Sequence, residues 1–200
     1  MKAFLWGFVI GLITIPLAVL AYFASGRAPV STAGGALPFE RALASGALHA
    51  RMEREMPKSV PIPADEATYL AGAPLYQKHC SVCHGLPGGE MTSIAKGMFP
   101  KPPQLFRGKG VTDDPPGETY WKVSNGIRLT GMPGFKASLS ESEMWEVSLL
   151  LANADKLSDS VKQTLAAPAP APPATAIPSL PAPPAPATPQ PPAAEPAPAK

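Results

Sequence analysis

Cysteine is nearly absent from this 200-residue chain: there are two, at Cys80 and Cys83. A disulfide closing so short a loop would add little stability. Basic runs are missing too. No five or six consecutive Lys or Arg occur, and the formal net charge is +2, so nucleic acid finds no electrostatic footprint here. Strand-like alternation of useful length is also missing, which argues against a sheet. Between Glu66 and Lys156 nine basic residues face nine acidic ones. That region is therefore neutral, and any steering of partners must come from how its charges are distributed.

The ends of the chain have their own shortages. Ala3 to Ala24 holds no charged residue, and 22 helical residues span roughly 33 Å, enough to cross a bilayer core of about 30 Å. A secretory signal has a shorter apolar region, so an uncleaved anchor is the preferred reading, with "ASG" at Ala24–Gly26 as a weak alternative cleavage site. Tyr22 and Phe23 stand where interfacial aromatics belong, and Lys2 argues for an inside N-terminus. An anchor and a signal alike export the chain beyond Arg27. From Pro168 onward the chain holds 14 of its 28 prolines, and only Glu195 and Lys200 are charged. Such a tail cannot bury a core; it is expected to be extended, either as a plain solvated tail or as a spacer that reaches a partner.

These shifts divide the chain into an anchor (1–26), a linker (27–64), a folded domain (65–157) and a Pro/Ala-rich tail (158–200). Within the linker, Leu43, Leu48, Met52 and Met56 give a short amphipathic helix ended by Pro57, able to lie on a membrane or pack on the next domain. In the domain, Asp65 caps a helix reaching Cys80, which Pro74 should kink or restart. Leu86 to Val111 shows no sustained period. A short helix is expected around Glu118–Asn125, stopped by Gly126. The strongest signal lies in "LSESEMWEVSLLLANADKL", where Ser140 and Glu143 form a capping box. The expectation is an all-α unit with long loops, too small to be comfortable alone. Something else should fill its interior.

"YQKHCSVCHG", Tyr76 to Gly85, answers that need. C-x-x-C-H is the attachment signature of c-type haem. Two thiols near one helical turn can add to the two vinyl groups of a porphyrin, and His84 then offers an imidazole nitrogen to iron. The rivals fit less well. Zinc would need four ligands, and His79, Cys80, Cys83 and His84 are crowded together. A thioredoxin-type pair would need a βαβ context. For the sixth iron position Met132, in the Gly/Pro-punctuated "NGIRLTGMPGF", is preferred to Met91 and Met98, because a loop thioether can swing onto a metal. His49 and His79 read as surface side chains.

On these residues the region Glu66–Lys156 resembles a class I monohaem cytochrome c of the bacterial membrane-anchored type. The resemblance implies a small all-α cytochrome c fold wrapped around one covalent haem c, with the N-terminal transmembrane helix beside it. It implies Cys80 and Cys83 as thioether links, with His84 as proximal and Met132 as distal iron ligand. It implies that Gly72 and Tyr76 pack the first helix on the last, against Trp145 and Leu149. Pro103 would orient His84 through its carbonyl, Leu105 would line the pocket, and Trp121 or Arg128 would reach a haem propionate. Pro74 departs from the family pattern.

With both axial positions closed, electron transfer is expected rather than catalysis, and no small-molecule substrate. The first reading is a tethered carrier, or electron-transfer subunit, passing single electrons between respiratory or dehydrogenase complexes. It would sit in the bacterial inner membrane, single-pass, with its haem domain in the periplasm. A haem enzyme or gas sensor with a displaceable Met132, and an envelope structural or assembly protein, are the alternatives. Lys96, Lys101, Arg107 and Lys109 against Asp113, Asp114, Glu118 and the acids Glu141, Glu143 and Glu146 of the last helix suggest a polarised docking surface with weak, salt-sensitive binding to redox partners.

Overall fold

The structure is a computed structural model that describes residues 1–167. The Pro/Ala-rich stretch 168–200, expected to be extended, lies outside the described residues. Those described are helical with no strand: α1 (Lys2–Ala24), α2 (Glu40–Glu55), α3 (Glu66–His79), α4 (Ser81–His84), α5 (Ser93–Gly97), α6 (Pro116–Asn125), α7 (Glu141–Ala152) and α8 (Asp159–Ala166).

Helix α1 is long and apolar enough to cross a membrane. Its side chains are exposed, Phe4 and Trp6 among them, and it packs against no other helix among the described residues. Helix α2 uses its inner face on the domain rather than staying free. Met52 is buried, α2 lies against α6, and Trp121 Nε1 donates to Glu55 Oε2 over 3.2 Å.

The core forms where α3 crosses α7. Asp65 starts α3 by accepting from Thr68 N at 2.9 Å, which holds its carboxyl below the ordinary value. Pro74 sits inside α3, and the helix runs through it without restarting. Gly72 makes the crossing possible: a Cβ there would lie 2.5 Å from the Glu146 carbonyl oxygen and 3.1 Å from Val147 N. Ala73 and Tyr76 pack beside it on Val147, Leu150 and Leu151. The partner face of α7 is therefore Glu146, Val147 and Leu150. Trp145, expected there, stacks on Tyr120 of α6 with centroids 4.2 Å apart. The expected capping box is present, Ser140 and Glu143 bonding reciprocally at the start of α7.

The domain does not end at Leu157 as its composition suggests. Helix α8 packs on α3, with Val161 and Leu165 fully buried in the same core. Ser158 caps it through Val161 N. At its other end the Gln77 amide donates to the carbonyls of Thr164, Leu165 and Ala167 at 2.9, 3.0 and 2.7 Å, which gives partners to carbonyls that any helix end leaves open. Glu66 accepts from Ser158 at 2.8 Å and from Ser160. The boundary of the folded unit thus moves into the stretch that reads as tail.

Candidate functional site

The turn after α3 carries the two thiols. Cys80 N donates to Tyr76 O at 2.9 Å, and His84 N to Cys80 O at 2.9 Å, so Cys80, Cys83 and His84 ride on consecutive turns of nearly continuous helix. Tyr76 locks this turn from below. Its hydroxyl donates to Gly85 O at 2.6 Å, and its ring meets Phe106 edge-on at 5.1 Å. Burial raises the Tyr76 phenol well above its ordinary range, which keeps it a neutral donor.

Both cysteines are half-buried, and no disulfide joins them. Burial, with a smaller contribution from neighbouring Cys83, pushes the Cys80 thiol up to about 12. His84 is oriented from outside. Its Nδ1 lies 2.8 Å from the carbonyl oxygen of Pro103. A carbonyl only accepts, so Nδ1 bears the proton and Nε2 keeps its lone pair. Burial lowers the His84 pKa while the Pro103 bond opposes that shift.

Cys80, Cys83, His84 and Met132 all line one cleft, partly open to solvent. Leu105, Val111, Val123, Ile127, Phe135 and Leu151 supply its apolar wall. The expected Pro103 and Leu105 both belong to it. Trp121 does not: its indole is turned to Glu55, and it borders a separate groove with Pro57 and Tyr120. Arg128 is exposed and forms no part of the cleft wall. Neither of the two residues expected at a propionate stands on the cleft wall.

Met132 sits on a loop that is tied down rather than free to swing. Ile127 N donates to Met132 O at 3.1 Å, and Phe135 N to Val123 O at 2.9 Å. Met132 N donates to Thr130 Oγ1 at 3.1 Å, and that hydroxyl donates to Ile127 O at 2.7 Å. Gly126 allows the loop to fold back on α6: its φ is +69°, and a Cβ there would lie 2.5 Å from Gly134 N. Met98 lines the same cleft, and a Cβ on Gly131 would run into its methyl group. Met91 is not on the wall.

Sequence reasoning missed two features. His79 reads as a surface residue, yet it lines the cleft and meets the Phe135 ring edge-on at 5.8 Å. Thr119 and Lys122 line it too; their spacing on α6 puts them on one face, but nothing in the sequence says which face turns inward.

The donor set suits a porphyrin. An apolar cleft accepts the macrocycle, two thiols stand one turn apart, and an imidazole with a free Nε2 and a thioether share the wall. Among the described residues the charged side chains on that wall are Lys101 and Lys122, with no carboxylate, which suits a group whose edge carries carboxylates. The described residues do not gather three His, Cys, Asp or Glu side chains into a metal-holding cluster.

Residues 67–149 match a family model described as cytochrome C oxidase, cbb3-type, subunit III. No curated protein matches the chain.

Proposed function

We propose that this chain is a membrane-tethered carrier of single electrons, with one haem c bonded through Cys80 and Cys83; the match of residues 67–149 to the oxidase-subunit family model supports the reading. When bound, the haem supplies the one-electron couple of its iron. The observation that carries the reading is the cleft itself: Cys80 and Cys83, His84 held through Pro103, and Met132 on a pinned loop share one apolar wall.

Each residue then has a task. Pro103 O fixes the tautomer and aim of His84, and such an outer partner raises the donor strength of a ligating imidazole. The loop bonds at Ile127, Thr130 and Phe135 hold the backbone around Met132, so His84 and Met132 would together hold the iron of a bound haem and leave no position for a substrate. A neutral thioether ligand favours Fe(II) and raises the potential. Helix α1 supplies the tether and keeps the domain at high effective concentration beside membrane partners. Export through α1 puts the haem domain on the periplasmic side of a bacterial inner membrane, among respiratory or dehydrogenase complexes. Of the basic residues expected at a docking face, Lys109 pairs with Asp113 at 3.3 Å and Arg107 donates to Gly89 O at 2.8 Å. Lys96 and Lys101 form no ion pair among the described residues.

The family description names an oxidase subunit, so the second reading places this chain as the electron-input subunit of such a complex. Co-purification with oxidase activity from detergent-solubilised membranes supports that reading, and a chain that purifies alone supports the independent carrier.

The closed-site reading is tested on the purified protein by ferric far-red absorbance and ferrous carbon monoxide binding. It predicts the weak methionine-to-iron band and no carbon monoxide uptake, with Met132→Ala reversing both. Rapid carbon monoxide binding by the unaltered chain would point instead to a haem enzyme or gas sensor.

A further inference from the structure

One polar group in the cleft is left idle by the roles above. Thr119 is 5% exposed, lines the cleft, and its Oγ1 has no hydrogen-bond partner among the described residues. Buried hydroxyls are almost always paired, and leaving one unpaired inside protein is disfavoured. Its neighbours on the wall show the contrast. Thr130 Oγ1 is bonded to Ile127 O, and His84 Nδ1 to Pro103 O.

The surroundings say which partner Thr119 suits. Lys122 follows it at i+3 on the same face of α6 and lines the cleft as well. Its Nζ is held 2.7 Å from Glu118 Oε1 and 4.0 Å from Asp114 Oδ2. Those carboxylates stand outside the wall, which among the described residues carries lysines but no acid. An idle donor beside a cation, in an otherwise apolar cleft, matches the anionic edge of an apolar ligand.

We propose that Thr119 Oγ1 donates a hydrogen bond to a haem propionate carboxylate, with Lys122 supplying positive charge beside it. The assignment rests on the haem reading of the cleft, and it puts the propionate contact on Thr119 and Lys122 rather than on Trp121 or Arg128. Its physical effect is to favour the ionised carboxylate and offset that negative charge near the iron.

The test uses full-length holoprotein whose haem is first verified by its pyridine haemochrome spectrum. A chain without covalent haem would overturn the functional reading, and only with haem present is the Thr119 assignment judged. The propionates of isotopically labelled haem are then titrated by carbon-13 NMR in the unaltered chain, Thr119→Val, Thr119→Ser and Lys122→Gln. Thr119→Val should raise the proton affinity of one propionate about tenfold and lower the midpoint potential. Thr119→Ser should restore both, because it keeps the hydroxyl. Lys122→Gln should move the same propionate in the same direction. A Thr119→Val protein that keeps its haem but leaves both propionates unmoved overturns the proposal. If Thr119→Val does not retain haem, Lys122→Gln decides: an unmoved propionate there overturns it equally.

Discussion

A Cβ on Gly72 would lie 2.5 Å from the carbonyl oxygen of Glu146, so helices α3 and α7 cross with backbone against backbone. The obstacle is main chain inside a helix, which cannot turn aside as a side-chain end can. Gly72→Ala should therefore force the helices apart and lower stability by about 1–3 kcal/mol, the usual range for overpacking a tight core. Urea unfolding followed by circular dichroism measures it. An unchanged midpoint would show that the crossing is looser than this contact requires.

Helix α8 should contribute to the stability of the domain. Leu165 is fully buried on the α3 side of the core, and truncating such a leucine typically costs about 2–5 kcal/mol. Leu165→Ala should lower the unfolding midpoint accordingly. A chain stopped after Leu157 should melt well below one stopped after Ala167. Equal melting of the two would place α8 outside the cooperative unit.

Much of the arrangement is legible in local chemistry. The C-x-x-C-H run, the Asp65 cap and the Ser140–Glu143 box depend on residues within a turn of each other, and local spacing reports local structure well. Helix α8 escapes such a reading because its signal is small: a Ser158 cap with Val161 and Leu165 four apart, set against a stretch rich in Ala and Pro. Its hold on the domain comes from burying Val161 and Leu165 and from Gln77, more than eighty residues away in sequence, and nothing near α8 announces that bond. Trp121 is hard to place for a similar reason. The resemblance sets it toward the haem, but its indole turns to Glu55 on α2, while Thr119 and Lys122 line the cleft.

The start of α7 should respond to acid. Glu143 is held below its ordinary value of 4.5, chiefly by the backbone bond from Ser140 and then by the Ser140 side chain. A carboxyl with a depressed folded-state pKa stabilises the fold above its unfolded value, and that contribution is lost as pH falls through the folded one. Thermal stability should thus decline as pH drops below about 4.5. Glu143→Gln, which removes the titrating carboxyl, should lower stability at neutral pH and make the acid decline shallower. Parallel pH profiles for the two proteins would show that the box is not coupled to Glu143 ionisation.

Releasing α2 from the domain should leave the core intact. Met52 is buried against it, and Glu55 accepts a hydrogen bond from the Trp121 indole at 3.2 Å. A Met52→Ala, Trp121→Phe double variant should become more sensitive to limited proteolysis in the 56–64 connector, with the Soret spectrum of the domain unchanged. Unaltered cleavage would mean that other contacts hold α2.

The central claim is a porphyrin bonded through Cys80 and Cys83. Intact mass spectrometry of protein purified from membranes tests it in one measurement. The account predicts the sequence mass plus one haem, retained through acidic acetone and lost in a Cys80→Ala, Cys83→Ala double variant. A chain at its bare sequence mass, with both thiols open to alkylation, would contradict it.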